Sequence, residues 1–402
     1  MRAILTRRSL LKGTAMAAGA LAAGPLLQAC GPAAGPQASS GPLKLGVLVP
    51  LSGVYSGLGQ DMVQGMQLYL DSINNEIAGR KVQIIQEDSE AKTDVAPTKA
   101  RKLLDQDKVD LVTGIVHSGV ALALRDLFDS TKNILIISNA GADDVTGAKK
   151  SKYIFRTSFS NSQTTYPAGP WVFNNIGKKA ALSAPDYAAG KEMMNGFKRT
   201  FTEAGGEVVF EVYPPLGNND YQPFLTQLQQ ANPEVIFSFY SGSDAVRFVQ
   251  QYEQFGLKGK IPLAGAGFMT ESDVLPQQGA AAEGIRTSLH YTYLLDTPEN
   301  KKFVEAYQAK FNELPSVFAL QAYDATQLID AAIKTTQGNT SDKDKLVEAL
   351  VNASITSPRG PFKIDPDTHN PIMHIYMREV QKVGDDMGNV VIADLGEAKG
   401  PS

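Results

Sequence analysis

From Leu43 onward, short continuous runs of apolar residues alternate with longer stretches in which apolar residues recur every three or four positions. The first run is LKLGVLVP (43–50), and the stretch from about Gly57 to Glu76 that follows it has helical spacing. The same order repeats: strand-like Lys81–Gln86, Leu111–Val116 and Ile134–Ser138 are interleaved with helix-like Asp94–Asp107 and Gly119–Thr131. Runs that are apolar at nearly every position, bounded by polar or glycine loops, belong to strands whose two faces are both covered by helices. The pattern predicts a doubly wound α/β domain built on a parallel sheet.

After residue 160 the grammar restarts, with strands over Ala180–Ser183, Glu207–Val212, Val235–Phe239, Ile261–Ala264 and Ile285–Leu289. Helices over Ala189–Ala204, Tyr221–Gln230 and Asp244–Phe255 separate them. Three helical stretches follow, Glu299–Asn312, Phe318–Thr335 and Asp342–Asn352. The chain ends in short extended pieces, Gly360–Ile364 and Met373–Val380, around a turn at Asp365–Thr368. A chain of 402 residues exceeds one ordinary core, so a second lobe of similar construction is expected. No repeat of 20–50 residues marks a solenoid.

The first thirty residues follow a different rule. Residues 13–29 carry no charge and are rich in Gly and Ala, and Arg2, Arg7, Arg8 and Lys12 precede them. That is the plan of an export signal, too short and too small-residued for a good membrane span. TRRSLLK (6–12) resembles a twin-arginine export motif, and LQACG (27–31) resembles a lipobox whose Cys30 would be lipidated as the mature amino terminus. Cys30 is the only cysteine, so no disulfide can form within the chain. Residues 30–42, rich in Gly, Pro, Ala and Ser, read as anchor and flexible tether. Without residues 1–29 the net charge is −8, which argues against nucleic acid as a partner.

Enzyme and metal signatures are missing from the sequence. No G-x-S-x-G, H-E-x-x-H, C-x-x-C or phosphate loop occurs, and Gly57-Leu58-Gly59 lacks the third glycine of a dinucleotide fingerprint. His117, His290, His369 and His374 are scattered, and Asp365-x-Asp367-x-His369 supplies too few oxygens at calcium-loop intervals. Neither a cofactor nor catalysis is expected. What stands out is a set of small, polar loops after the first-lobe strands: Leu51–Gly57 with Ser52 and Tyr55, then His117-Ser118-Gly119, then Asn139-Ala140-Gly141-Ala142-Asp143. Ligands of open α/β sheets bind beyond the carboxyl ends of strands, and helix N-termini there favour carboxylates. Ser118 and Asn139 are placed for that, or serve as caps of their own helices.

Five stretches in order, 44–74, GIVHSG (114–119), ILIISNAGADDVTG (134–147), LSAPDYAAGKEMMNGFK (182–198) and 220–257, resemble the type I periplasmic binding proteins of the branched-chain amino-acid (Leu/Ile/Val-binding) class. The resemblance implies two doubly wound lobes joined by three crossovers near Ser160, His290 and Arg359. Residues 43–160 with 291–357 would form one lobe, 161–290 with 358–395 the other, and 396–402 a tail. It implies a monomer that closes on a small carboxylate and delivers it to the permease and ATPase subunits of an ABC importer, from a lipid anchor in the cell envelope. A sensing module of the same fold, serving a chemoreceptor or sensor kinase, is the alternative. Ser118 and the Asn139–Gly141 backbone would hold the carboxylate, and Tyr240–Gly242 would lie in the second-lobe loop facing the cleft. Tyr55, Tyr187 and Phe318 would give aromatic walls, although Tyr187 also reads as a surface residue and Phe318 as core.

One departure bears on the ligand. Amino-acid binders of this class carry an acid after the strand matching Ile261–Ala264, where this chain has Gly265-Ala266-Gly267-Phe268-Met269. A buried ammonium without a carboxylate costs several kcal/mol. The resemblance therefore favours an aromatic acid over an amino acid, unless Asp143 or Asp186 stands in. The carboxyl-terminal stretch SPRGPFKID (357–365) also looks like the aromatic-acid branch of the family.

Overall fold

The computed structural model describes residues 41–401, so the export signal, Cys30 and most of the tether lie outside the described residues. The first sheet has six strands: β1 (Leu43–Val49), β2 (Glu76–Ile77), β3 (Arg80–Asp88), β4 (Leu111–Gly114), β5 (Leu135–Ile137) and β6 (Ile154–Arg156), in the order β2-β3-β1-β4-β5-β6. All its pairings are parallel except the β2–β3 hairpin at the edge. Helices α1 (Ser56–Ser72), α2 (Ala96–Arg101), α3 (Ser118–Thr131) and α4 (Asp143–Thr146) connect the strands, and a π-helical turn extends α2. Leu45, Val47 and Val49 of β1 enter one core and Leu48 the other, which is why the run is apolar throughout.

The second sheet is preceded by α5 (Asn161–Thr165) and α6 (Ala168–Asn175). Its parallel part comprises β7 (Lys179–Ser183), β8 (Glu207–Val212), β9 (Val235–Ser238), β10 (Leu263–Ala266) and β11 (Arg286–Leu289). Helices α7 (Ala188–Glu203), α8 (Gln222–Gln230), α9 (Ser243–Gln254) and α10 (Leu275–Gln278) lie between those strands. After β11 the chain returns to the first lobe as α11 (Pro298–Phe311), α12 (Val317–Thr335) and α13 (Lys343–Asn352). Helix α1 packs so closely on α12 that a Cβ on Gly65 would stand 2.0 Å from the Ala319 carbonyl oxygen.

The chain then adds β12 (Lys363–Ile364), β13 (Pro371–Val383) and β14 (Asp386–Ala398), all antiparallel, to the second sheet beside β11. Strand β14 corrects the expectation of a tail from residue 396, because it runs to Ala398. Its sequence, DMGNVVIADLGEA, carries Gly, Asp and Asn that read as loop; the long ladder with β13 overrides that propensity. The hairpin's own signal is the Gly384-Asp385 turn, with Gly384 at φ +62°.

Helix α12 ties the connections between the sheets together. Arg359, fully buried, donates to Asp324 of α12 at 2.7 and 2.9 Å and to the Thr157 carbonyl at 2.8 Å. Gln321 of α12 accepts the Asn139 amide at 2.8 Å and meets His290 Nε2 at 3.1 Å. Breaking one side of such a buried pair typically costs about 3–5 kcal/mol. No helix among the described residues is long and apolar enough to cross a membrane.

Candidate functional site

The carboxyl ends of the parallel strands of both sheets face a common, narrow cleft. Tyr55, Leu58, Val116, Ser118, Asn139, Gly141 and Phe318 line it from the first lobe. Asn161, Tyr187, Ala189, Met193, Phe239, Ser241 and Phe268 line it from the second, and Phe159 from the connection between them. Phe268 centres the aromatic wall, with ring centroids 4.7 Å from Phe159, 6.0 Å from Phe239 and 6.1 Å from Phe318. Tyr55 and Tyr187 close another side, their hydroxyls 2.9 Å apart. Burial raises both phenols above their ordinary range, so they remain neutral donors.

The polar corner gathers around the start of α3. Ile115, a β-branched residue held at φ +66°, bends the chain before it, with its N–H on the Leu48 carbonyl and its carbonyl taking the Ala140 N–H, each at 2.8 Å. Ser118 is then the first residue of α3 rather than its cap, and its hydroxyl accepts from Asn161 Nδ2 at 3.1 Å. That leaves the Ser118 O–H free to donate. Asn139 is likewise no cap: it faces the cleft with its amide on Gln321. Gly141 packs under Asn161 and Phe159; a Cβ there would meet Asn161 Oδ1 at 2.2 Å and the Phe159 ring at 2.4 Å. Asn161 Oδ1 and Ser241 Oγ are buried with no hydrogen-bond partner among the described residues.

Of the residues singled out in the sequence, Tyr55, Ser118, Asn139, Gly141, Tyr187 and Phe318 line the cleft. Seven do not. Past the bend at Ile115, Val116 and Ser118 face the cleft while His117 lies against the Tyr187 ring at 4.6 Å. Burial lowers His117 to about 4, so it is a neutral imidazole and no counter-ion for a carboxylate. Ala140 sits in the first-lobe core, its N–H already used by Ile115. Tyr240 is turned into the second-lobe core, stacked on Phe248 at 4.2 Å and bonded to Ser183 at 2.6 Å. Gly265 and Ala266 are interior residues of β10. Gly119 faces the His117 ring, and the Ser52 hydroxyl is drawn 2.7 Å to Asp88 at the end of β3.

Leu58, Val116, Phe159, Asn161, Ala189, Met193, Phe239 and Phe268 are lining residues that sequence reasoning missed, and Ser241 was reached only as part of the Tyr240–Gly242 loop. Ser160 to Gln163 form a capping box that opens α5, and S-x-x-Q was a readable signal for a helix start that would aim Asn161 inward. Phe239 and Ser241 flank Tyr240, one position either side of the residue chosen.

No charged side chain lines the cleft among the described residues. Glu271, the first acid after β10, is committed elsewhere: Arg378 Nη1 donates to it at 2.6 Å, and so does the Val317 N–H at the start of α12 at 2.9 Å. Asp186 pairs with Lys191 at 2.8 Å, and Asp143 accepts the Ser162 N–H at 3.1 Å. Neither of the acids considered as substitutes is a lining residue.

Two doubly wound lobes enclosing a small cleft at the carboxyl ends of both sheets define a type I periplasmic-binding-protein architecture. Residues 42–385 match the family model described as periplasmic binding protein, and the chain belongs to that family. It is 33% identical over 349 residues to Leu/Ile/Val-binding protein homolog 6 of Brucella melitensis, covering 85% of this chain and 88% of the relative. Among solved structures it is similar to a solute-binding protein of an ABC transporter from R. palustris in complex with benzoate. That pair has 37% identity and a TM-score of 0.85, over 89% of this chain and 98% of the other. A second, from Rhodopseudomonas palustris BisB5 in complex with 3,4-dihydroxybenzoic acid, has 34% identity and a TM-score of 0.85, with 89% and 98% covered.

Proposed function

We propose that this protein is the substrate-binding lipoprotein of an ABC importer and captures a small aromatic carboxylate between its lobes. The observation that carries the reading is the cleft itself, whose walls are six aromatic rings, neutral hydrogen-bond donors and no charged side chain. The rings offer flat apolar surface to an aromatic ligand, and the Ser118 hydroxyl at the start of α3 suits its carboxylate. The α-ammonium of leucine, isoleucine or valine would be buried there with no carboxylate on the wall, a cost of several kcal/mol that side-chain burial does not recover. The benzoate and dihydroxybenzoate complexes of the two R. palustris relatives support the same class of ligand.

The mechanism is hinge closure: a ligand that touches both lobes stabilises the closed form by its differential affinity. The lobes are residues 43–160 with 291–357 and 161–290 with 358–395, extended to Ala398 by β14. The closed protein, a monomer, then presents both lobes to the permease and ATPase subunits. Export through the twin-arginine signal and lipidation of Cys30 would hold it at the cell envelope.

Calorimetry on ligand-stripped protein tests the ligand. Benzoate or a hydroxybenzoate should bind far more tightly than leucine; submicromolar leucine binding with no response to benzoates would return the chain to the amino-acid binders. For the anchor, Cys30→Ala should move the protein from the membrane to the soluble fraction with ligand binding intact. Retention on membranes after carbonate washing would rule lipidation out.

A further inference from the structure

Behind the polar corner, Arg156 at the end of β6 is fully buried, and none of its contacts is an acid. Its guanidinium donates to the carbonyls of Ala140 at 3.0 Å, Phe159 at 2.8 Å and Ala142 at 2.7 Å, and to the Thr146 hydroxyl at 2.9 Å. Its Nε is buried with no partner among the described residues. Four neutral acceptors solvate this cation, and the acids that act on it, Asp143 first and then Glu192, do so through space without touching it. Burial lowers its pKa to about 10, so it stays charged at neutral pH.

We propose that Arg156 is a positioning residue that gives the cleft its preference for anions, holding the Ala140–Ala142 turn and supplying the positive potential that the lining lacks. This rests on the aromatic-carboxylate reading. In a trans peptide the N–H points opposite to the preceding carbonyl. With the Ala140 and Ala142 carbonyls drawn to the guanidinium, the next N–H groups, of Gly141 and Asp143, turn away from it. That of Asp143 meets Glu192 of α7 at 2.9 Å, whereas Gly141 is a lining residue. Glu192 Oε2 also accepts Asn161 Nδ2 at 2.7 Å, so a carboxylate of the second lobe sits on the same network and opposes the field of Arg156. In a dry interior such charges act over several ångströms.

The test compares benzoate with benzamide, equal in shape and different in charge, by calorimetry on the ligand-stripped protein. The unaltered protein should prefer benzoate. Arg156→Gln should cut that preference about tenfold, and Arg156→Lys, which restores the charge but not the four hydrogen bonds, should recover most of it. Glu192→Gln keeps an oxygen for Asn161 and Asp143 and removes the opposing charge; benzoate affinity should rise about threefold or more with benzamide unchanged. This variant decides the matter should Arg156→Gln not fold. Equal losses for both ligands in the Arg156 variants, or an unchanged ratio in Glu192→Gln, overturn the assignment while leaving the aromatic-acid reading standing. An unaltered protein that binds no benzoate removes both. An amino-acid binder using Glu192 as its ammonium partner would instead lose leucine affinity in Glu192→Gln.

Discussion

The Tyr55 hydroxyl, at the start of α1, lies 2.9 Å from the Tyr187 hydroxyl at the start of α7, joining residues 132 positions apart in opposite lobes. Both rings line the cleft, and the Tyr187 ring rests on neutral His117. This contact exists only while the lobes are together, so it adds to the stability of the closed form and not to that of either lobe.

Tyr187→Phe keeps the ring and deletes the bond. A neutral hydrogen bond contributes about 0.5–1.5 kcal/mol, so ligand affinity should fall a few-fold. The change should appear as faster dissociation with little effect on association. Stopped-flow release of a bound benzoate would show this; an unchanged release rate would mean that the tyrosine pair does not hold the lobes shut.

The architecture was legible because its signal is redundant: runs such as Leu43–Val49, Ile134–Ser138 and Val235–Phe239 are apolar on both faces, and only strands buried between helices read that way. At three of its loops the cleft was legible to within one residue. Loops after β4, β5 and β9 were found, but the residues concerned lie past the ends of their strands, where no hydrophobic period marks which of two neighbours faces the cleft. His117, Ala140 and Tyr240 each sit one position from a lining residue and point the opposite way. The Phe159–Phe268 wall was out of reach for another reason. It joins residues 109 apart on different elements, and nothing local in either segment encodes the meeting.

Ser118→Ala examines the polar corner. The Ser118 hydroxyl accepts from Asn161, which frees its proton for a ligand oxygen. A hydrogen bond to a charged group is worth about 1.5–3 kcal/mol, so benzoate binding should weaken by roughly 10- to 150-fold at that conversion. Thermal stability of the unliganded protein should change little, because Ser118 caps nothing. If benzoate affinity survives the substitution, Ser118 is only a neighbour of the site.

The lobes also meet at a group of acids away from the cleft, and there the dependence on pH has a definite sign. Asp61 of α1 takes the Ser316 hydroxyl and faces Glu313 of its own lobe and Glu271 of the other. Asp273, with a buried carboxyl oxygen lacking a partner, completes the group, and Tyr307 lies within its field. The cation in contact with the group is Arg378, through Glu271. Burial first, and then these neighbouring acids, push Asp61 up from 3.8 to about 7. The folded protein therefore binds a proton at Asp61 that the unfolded chain has already released. The stability linked to that proton is fully present below the unfolded value near pH 4 and is lost as pH rises through about 7. Asp61→Asn mimics the protonated form at every pH. The variant should match the parent near pH 4 and exceed it above pH 7 by roughly 1–3 kcal/mol, allowing for the partial exposure of Asp61 to solvent. Urea unfolding of both proteins across that range is the measurement. A gap of constant size, or one that widens toward acid, would show that Asp61 is ionised in the folded protein throughout.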